Sequence, residues 1–262
     1  MSLLMELERI LPDVFLHAPL VALVGGGGKT SLMYSLASEW KVRGLMVAAT
    51  TTTAIRDPRR ETGRNVDLVV VDSRLKDGGH TGYTFAPVPG ITVYGSSVCE
   101  SDGKMSGISV DAVSALSNVY GAVVVEADGS RMLPVKAPDD HEPVLPLRIS
   151  ILIGVIGLDC LGRPMDGNTV HRPELFAKVS GCAPGEPIQP CHLEQLVLSP
   201  SGLFKDVRPG TAKVLVLNKS DSVSADVLQS VERLMSDAFY AVDAAFLRGR
   251  GSSKAIAQES MK

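Results

Sequence analysis

The chain has 262 residues, 45% of them hydrophobic and 21% charged, which is enough apolar material for one large α/β domain over residues 1–262. Lys and Arg number 26 against 29 Asp and Glu, a formal net charge of -3, so there is no global pull toward nucleic acid or an anionic membrane, and neither is expected as a partner. The four cysteines form no C-x-x-C pair, no secretory leader is evident, and no apolar run nears the ~20 residues of a bilayer span, which points to the cytoplasm.

In chain order, Leu3 to Ile10 has helical spacing and is stopped by Pro12. Pro19 to Val24 is a continuous apolar run ending in four glycines, the pattern of a strand buried on both faces followed by a tight turn. Leu32, Met33, Leu36, Ala37 and Trp40 line one face of a predicted helix over Lys29 to Val42, with Gly44 at its end. Further strands are predicted at Leu45 to Ala49, Val66 to Val71, Ile91 to Tyr94, Ala122 to Val125, Ile149 to Ile156 and Lys213 to Leu217, with a helix near Val110 to Ser117. Arg56 to Arg64, Thr81 to Gly90, Leu133 to Pro146 and Ala183 to Pro190 read as loops or irregular chain. Short helices are predicted at Glu174 to Ser180 and His192 to Leu198. The sum is an α/β fold, a mostly parallel sheet with helices on both faces, with ligands expected at the carboxyl edge of the sheet.

The glycine loop carries the strongest chemistry. Gly25, Gly26, Gly27 and Gly28 let backbone N–H groups approach phosphates without a Cβ in the way, and the helix that follows points its positive end at them. Lys29 supplies a charge to the outer phosphates, Thr30 a hydroxyl for Mg²⁺, and Ser31 continues the cradle. The full pattern wants a further glycine six residues before the lysine; Leu23 stands there, so only the later part of the loop is present. The expected ligand is GTP or ATP with Mg²⁺. Glu126 and Asp128, at the end of a buried strand, are candidates to hold the metal and, with Lys29, to act in catalysis.

Asn218-Lys219-Ser220-Asp221 follows an apolar run, where the GTPases place their guanine-reading loop. The Asp221 carboxylate can accept from the N1–H and the amine of guanine, an edge adenine lacks, with Asn218 and Lys219 shaping the pocket. The same tetrapeptide also fits a turn with a helix cap. Thr50, Thr51 and Thr52, at a strand end, are candidates to face the phosphates, and equally a β-favouring Thr cluster. Lys136 is placed facing the same cleft, as is His141-Glu142-Pro143, of which His141 is not assigned a catalytic role. Arg56, Arg59, Arg60 and Arg64 read as a solvated basic loop, and Cys182 and Cys191-His192 have neither the count nor the spacing of a zinc site.

Together, Val24 to Thr30, Thr50 to Thr53, Glu126-Ala127-Asp128-Gly129, Lys136-Ala137-Pro138, His141-Glu142-Pro143, His171-Arg172-Pro173-Glu174 and Asn218-Lys219-Ser220-Asp221 resemble the YqeC family over nearly the whole chain. That resemblance implies a P-loop NTPase-like fold. It also implies a role as accessory factor for selenium-dependent molybdenum hydroxylases, with a client hydroxylase or a cofactor-maturation protein as partner. More distantly the chain is similar to metal-delivery GTPases, without their Cys- or His-rich metal loop, and to MinD-like ATPases, with Val24 at their signature lysine. Three activities fit: an NTP hydrolase with GTP favoured, a phosphotransferase activating a small molecule, and a nucleotide-binding module without turnover.

Overall fold

The structure, a computed structural model, describes residues 2–16, 18–76, 83–242 and 244–248. In chain order its strands are β1 (Leu20–Gly25), β2 (Val47–Thr51), β3 (Ala54–Arg56), β4 (Leu68–Val71), β5 (Ile91–Gly95), β6 (Ser97–Cys99), β7 (Lys104–Ser106), β8 (Ala122–Glu126), β9 (Val135–Lys136), β10 (Ile151–Gly157), β11 (Val170–His171), β12 (Ala212–Asn218) and β13 (Ala244–Arg248). The helices are α1 (Leu3–Ile10), α2 (Lys29–Val42), α3 (Val110–Leu116), α4 (Pro173–Ser180), α5 (Pro190–Leu198) and α6 (Ala225–Val242).

Eight strands form one sheet in the order β13-β12-β10-β1-β8-β2-β5-β4, and every pairing in it is parallel. The continuous apolar runs follow from this. A parallel sheet is covered on both faces, so successive side chains alternate between two cores instead of between core and water. Leu20, Ala22 and Val24 of β1 join one core with residues of α3, α4, α5 and α6. Val21 and Leu23 join the other with Leu4 and Leu7 of α1 and Met33, Leu36 and Trp40 of α2. The fold is a parallel α/β sheet flanked by helices, of the P-loop NTPase-like kind.

Because all eight strands run the same way, their last residues share an edge. Gly25, Thr51, Glu126, Gly157 and Asn218 close β1, β2, β8, β10 and β12, so residues far apart in sequence meet there.

The predicted spans of α1 and α2 coincide with the observed helices, the predicted sheet strands shift by one to two residues, and α6 and β13 follow the last predicted strand as elements the sequence reading did not assign. Some irregular segments are more ordered than expected. Arg56 ends β3, which forms a small antiparallel sheet with β7 and β6, and a 3-10 turn covers Pro58–Arg60. The segment from Leu133 holds β9, paired with β11. Residues 81 and 82 of the predicted Thr81 to Gly90 loop lie outside the described residues.

Trp40 is 1% exposed whereas Val42, two residues on, is 87% exposed. Trp40→Ala should therefore cost about 3–5 kcal/mol of stability through cavity and transfer terms, and Val42→Ala less than about 0.5 kcal/mol. Urea denaturation of both variants measures the contrast.

Candidate functional site at the carboxyl edge

β1 runs straight into the glycine loop, and the loop into α2. At Gly27 (φ 78°) a Cβ would overlap the backbone nitrogen of Gly157, and at Gly28 (φ 122°) it would overlap the Asn218 amide. The loop is thus pressed against the ends of β10 and β12, and a side chain at either position would force them apart.

Its N–H groups divide into two sets. Gly25 N–H donates to Asp128 Oδ2 at 2.9 Å, Gly26 N–H to the Val155 carbonyl at 2.9 Å and Gly27 N–H to the Leu133 carbonyl at 3.0 Å. The first-turn amides of α2 have no intrahelical acceptor and form the positive end of a 14-residue helix. The phosphate-binding capacity of the segment therefore begins at Gly28 and runs into the helix. That matches the loss of the first glycine of the motif at Leu23.

Lys29 is 3% exposed. Its Nζ donates to the Gly25 carbonyl at 2.5 Å and lies 3.0 Å from Asp128 Oδ1 and 3.7 Å from Glu126 Oε1. One helical position on, Thr30 Oγ1 donates to Glu126 Oε2 at 2.6 Å. The sheet sets this up: β8 pairs with β1 so that Glu126 stands opposite Leu23, on the face covered by α2. Burial pushes the Glu126 carboxyl above the ordinary carboxylate range, opposed by the Lys29 charge and the Thr30 hydroxyl.

Asp128 also takes Lys136, whose Nζ is 3.2 Å from Oδ2, donates to the Gly129 carbonyl at 2.8 Å and pairs with Glu142. Glu142 is bonded in turn by Arg172 at 2.5 Å, and Arg172 lies 3.3 Å from Asp139. Lys205 fastens the segment by donating to the carbonyls of Asp139, Asp140 and Glu142. The result is a continuous chain of alternating charge from Lys29 to Asp139. Sequence reasoning placed Lys136 and Glu142 in the cleft but missed their pairing, and missed Arg172 and Lys205 as the groups that hold Glu142 and its segment. Burial would raise the Glu142 carboxyl, but hydrogen bonds and charge from Arg172 and Lys136 hold it down at about 2. His171 lies below the ordinary histidine range because it is partly buried and faces Arg172, Lys136 and Arg131.

On the other flank, Asn218 Nδ2 donates to the Gly27 carbonyl at 2.8 Å and Lys219 Nζ to Asp159 Oδ2 at 2.6 Å. Lys219 adopts a left-handed conformation (φ 58°) that turns the chain from β12 into a 3-10 turn, and Asp221 is exposed on it. The three threonine hydroxyls bond main chain: Thr50 donates to Tyr94 O, Thr51 to Glu126 O and Thr52 to Val144 O, at 2.8–2.9 Å. His141 is exposed. In the basic loop Arg59 pairs with Asp57 and Arg64 with Glu61, and Arg60 pairs outside the loop with Glu100.

Glu126, Asp128 and Thr30 make an all-oxygen donor set of the hard kind that suits Mg²⁺. Asp128 Oδ1 is buried and forms no hydrogen bond although it lies close to Lys29, so its lone pairs remain able to coordinate a cation. Elsewhere, Cys182, Glu186 and His192 bring one ligand atom each within 4.8 Å of one another. His192 Nδ1, however, already accepts from Gln189 N–H at 3.1 Å, and burial pushes the Cys182 thiol up to about 11. Among the described residues no helix is long and apolar enough to cross a membrane.

A family model described as YqeC protein matches residues 21–174. That span takes in the glycine loop, Glu126, Asp128, Lys136, Glu142 and Arg172, and leaves out Asn218 to Asp221. A protein of Escherichia coli (strain K12), described as uncharacterized protein YqeC, is 32% identical over 222 residues, which cover 80% of this chain and 79% of its own length. No solved structure gave a match.

Glu142 ionises more readily in the folded chain than in the unfolded one. Its stabilising contribution is therefore complete above pH about 4.5 and fades as the pH falls toward about 2. Glu142→Gln should cost about 1–3 kcal/mol at neutral pH and flatten the acid limb of the stability curve across that window. Urea midpoints of the two proteins against pH test this; parallel acid limbs would show that Glu142 is not the titrating group.

Proposed function

The chain belongs to the YqeC family, and from that premise we propose that it binds a Mg²⁺-nucleoside triphosphate, GTP in preference to ATP, and hydrolyses it as an accessory protein in the maturation of a molybdenum/selenium hydroxylase. The observation that carries the nucleotide reading is the convergence of Lys29, Thr30, Glu126 and Asp128 at the amino end of α2. A mobile cation, a hydroxyl, two carboxylates and open first-turn amides stand together there, at the edge where a parallel sheet presents its ligands.

In this reading the amides from Gly28 to Ser31 bind phosphate oxygens, and Lys29 passes from the carboxylates to the outer phosphates. Thr30 and Glu126 hold the metal, with Asp128 beside them. When bound, the metal supplies charge stabilisation on the transferring phosphoryl group. Thr50, Thr51 and Thr52 close the neighbouring strand ends, and Lys136 is close enough through Asp128 to respond to charge at the phosphates. The maturation role, the client hydroxylase and a cytoplasmic site of action rest on the family resemblance. A phosphotransferase and a non-hydrolysing module differ from this reading in the fate of labelled γ-phosphate: acceptor labelling or no release.

Lys29→Ala should weaken triphosphate binding by about 10–100-fold, the worth of a charge-assisted contact, with native circular dichroism. Isothermal titration with and without Mg²⁺ measures it, and unchanged affinity in a folded variant would sink the phosphate site.

The guanine preference is supported by the Asn218 amide at the end of β12, two strands from β1, which fixes the Asn218 to Asp221 segment to the glycine loop. Asp221 then accepts from two guanine donors. Asp221→Asn is expected to erode the GTP-over-ATP preference by about tenfold or more while barely changing affinity for bare triphosphate. Competition among GTP, ATP and CTP decides it, and a wild type that binds ATP as tightly as GTP overturns the guanine reading alone.

A further inference from the structure

Asp159 lies just past β10, the strand that separates the glycine loop of β1 from the Asn218 end of β12. Its two carboxylate oxygens have different surroundings. Oδ2 accepts from Lys219 Nζ at 2.6 Å. Oδ1 is buried and has no hydrogen-bond partner among the described residues. A Cβ placed on Gly157 would lie 2.5 Å from that oxygen and 3.0 Å from Gly27 Cα, so the free oxygen stands beside the glycine loop. Buried anionic oxygens are nearly always given donors, because leaving one dry forfeits its hydration with nothing in return. Here three neighbouring donors are directed elsewhere. Gly27 N–H goes to Leu133, Gly157 N–H to Pro134 and the Asn218 amide to Gly27.

We infer that Asp159 is a specificity-determining residue of the same site, with Oδ1 accepting a hydrogen bond from a donor on the nucleoside, either a ribose hydroxyl or the amine hydrogen of guanine that Asp221 leaves free. The inference rests on the nucleotide reading above. Lys219 has a defined part in it. By pairing with Oδ2 it fixes the rotamer of Asp159 and neutralises the carboxylate, so an acceptor can stand near the phosphate end without repelling the phosphates. A hydrogen-bond donor then distinguishes a nucleotide from inorganic polyphosphate, which has none to offer.

The test is titration calorimetry of wild type, Asp159→Asn and Lys219→Met with Mg²⁺ and GTP, 2′-deoxy-GTP, ITP or tripolyphosphate, with thermal melting of each protein. Asp159→Asn should lose about tenfold or more for GTP and less than about twofold for tripolyphosphate. Its melting temperature is read alongside, because the change also weakens the Lys219 ion pair, and Lys219→Met, which removes that pair from the other side, separates the two effects. If 2′-deoxy-GTP erases the difference between wild type and variant, the donor is the ribose; if ITP erases it, the donor is the guanine amine. Lys219→Met breaks the ion pair but leaves the acceptor, and should keep a measurable preference for GTP over tripolyphosphate. An Asp159→Asn that binds GTP within about twofold of wild type overturns the inference. So does a loss shared equally by Asp159→Asn and Lys219→Met across all four ligands, because that marks a purely structural ion pair. A wild type that binds neither GTP nor tripolyphosphate fails the nucleotide reading itself and takes this inference with it.

Discussion

The Asp128 carboxylate is the contact on which the rest of the edge depends. It accepts the N–H of Gly25, lies 3.0 Å from Lys29 and 3.2 Å from Lys136, and is 2% exposed. A carboxylate taken this far out of water costs several kcal/mol, which two cations and a backbone donor must offset together. The three partners come from the end of β1, the start of α2 and the segment of β9, so one side chain fixes the relative placement of three pieces of chain. With Lys136 and the Gly25 N–H both on it, the carboxylate keeps partners if one is withdrawn, and the alternation of charge continues outward from Lys136 through Glu142 and Arg172.

That contact in turn depends on the sheet. Asp128 reaches the glycine loop because β8 pairs directly with β1, and Glu126 meets Thr30 because it points to the face that α2 covers. On the opposite flank β10 and β12 continue the parallel order, and Asn218 closes onto a carbonyl 191 residues earlier in the chain. A parallel sheet needs a crossover between every pair of neighbouring strands, so its edge gathers residues that local sequence cannot bring together.

What could be read from sequence followed the same division. The boundaries of α1 and α2 were legible because apolar spacing, Pro12 and Gly44 all mark them locally, and the buried strands because a run of β-branched residues without polar alternation has few other uses. Gly25 to Thr30 announced itself because glycines in a row before Lys-Thr are conformationally costly unless a close approach requires them. By contrast β9 and β11 are two residues each and β3, β6 and β7 three, too short to show any period. Glu142 and Arg172 sit in separate short segments and Lys205 in none, and their grouping is set by tertiary pairing across roughly thirty to sixty residues. The proximity of Glu186 to Cys182 and His192 was hidden for the same reason, since a turn between two helices makes it.

The pairs at this edge differ from an ordinary buried salt-bridge network in one respect: each can be exchanged for a contact of the same sign. Lys29 sits on carboxylates, and a phosphate is another anion within the reach of a four-carbon stem. Thr30 donates to Glu126, and the same two oxygens can share a cation instead. Asp128 gives up Lys29 without becoming unpaired, because Lys136 and Gly25 N–H remain on it. Lys136 in turn is held by Glu142 and the Gly129 carbonyl whatever happens at Asp128. A network built only for stability has no need of such duplicate partners, and burying more charge than it must works against stability. Redundant pairing around one lysine, at the amino end of a helix whose first amides are uncommitted, is what a site requires if it is to trade internal contacts for an anionic ligand without opening its core.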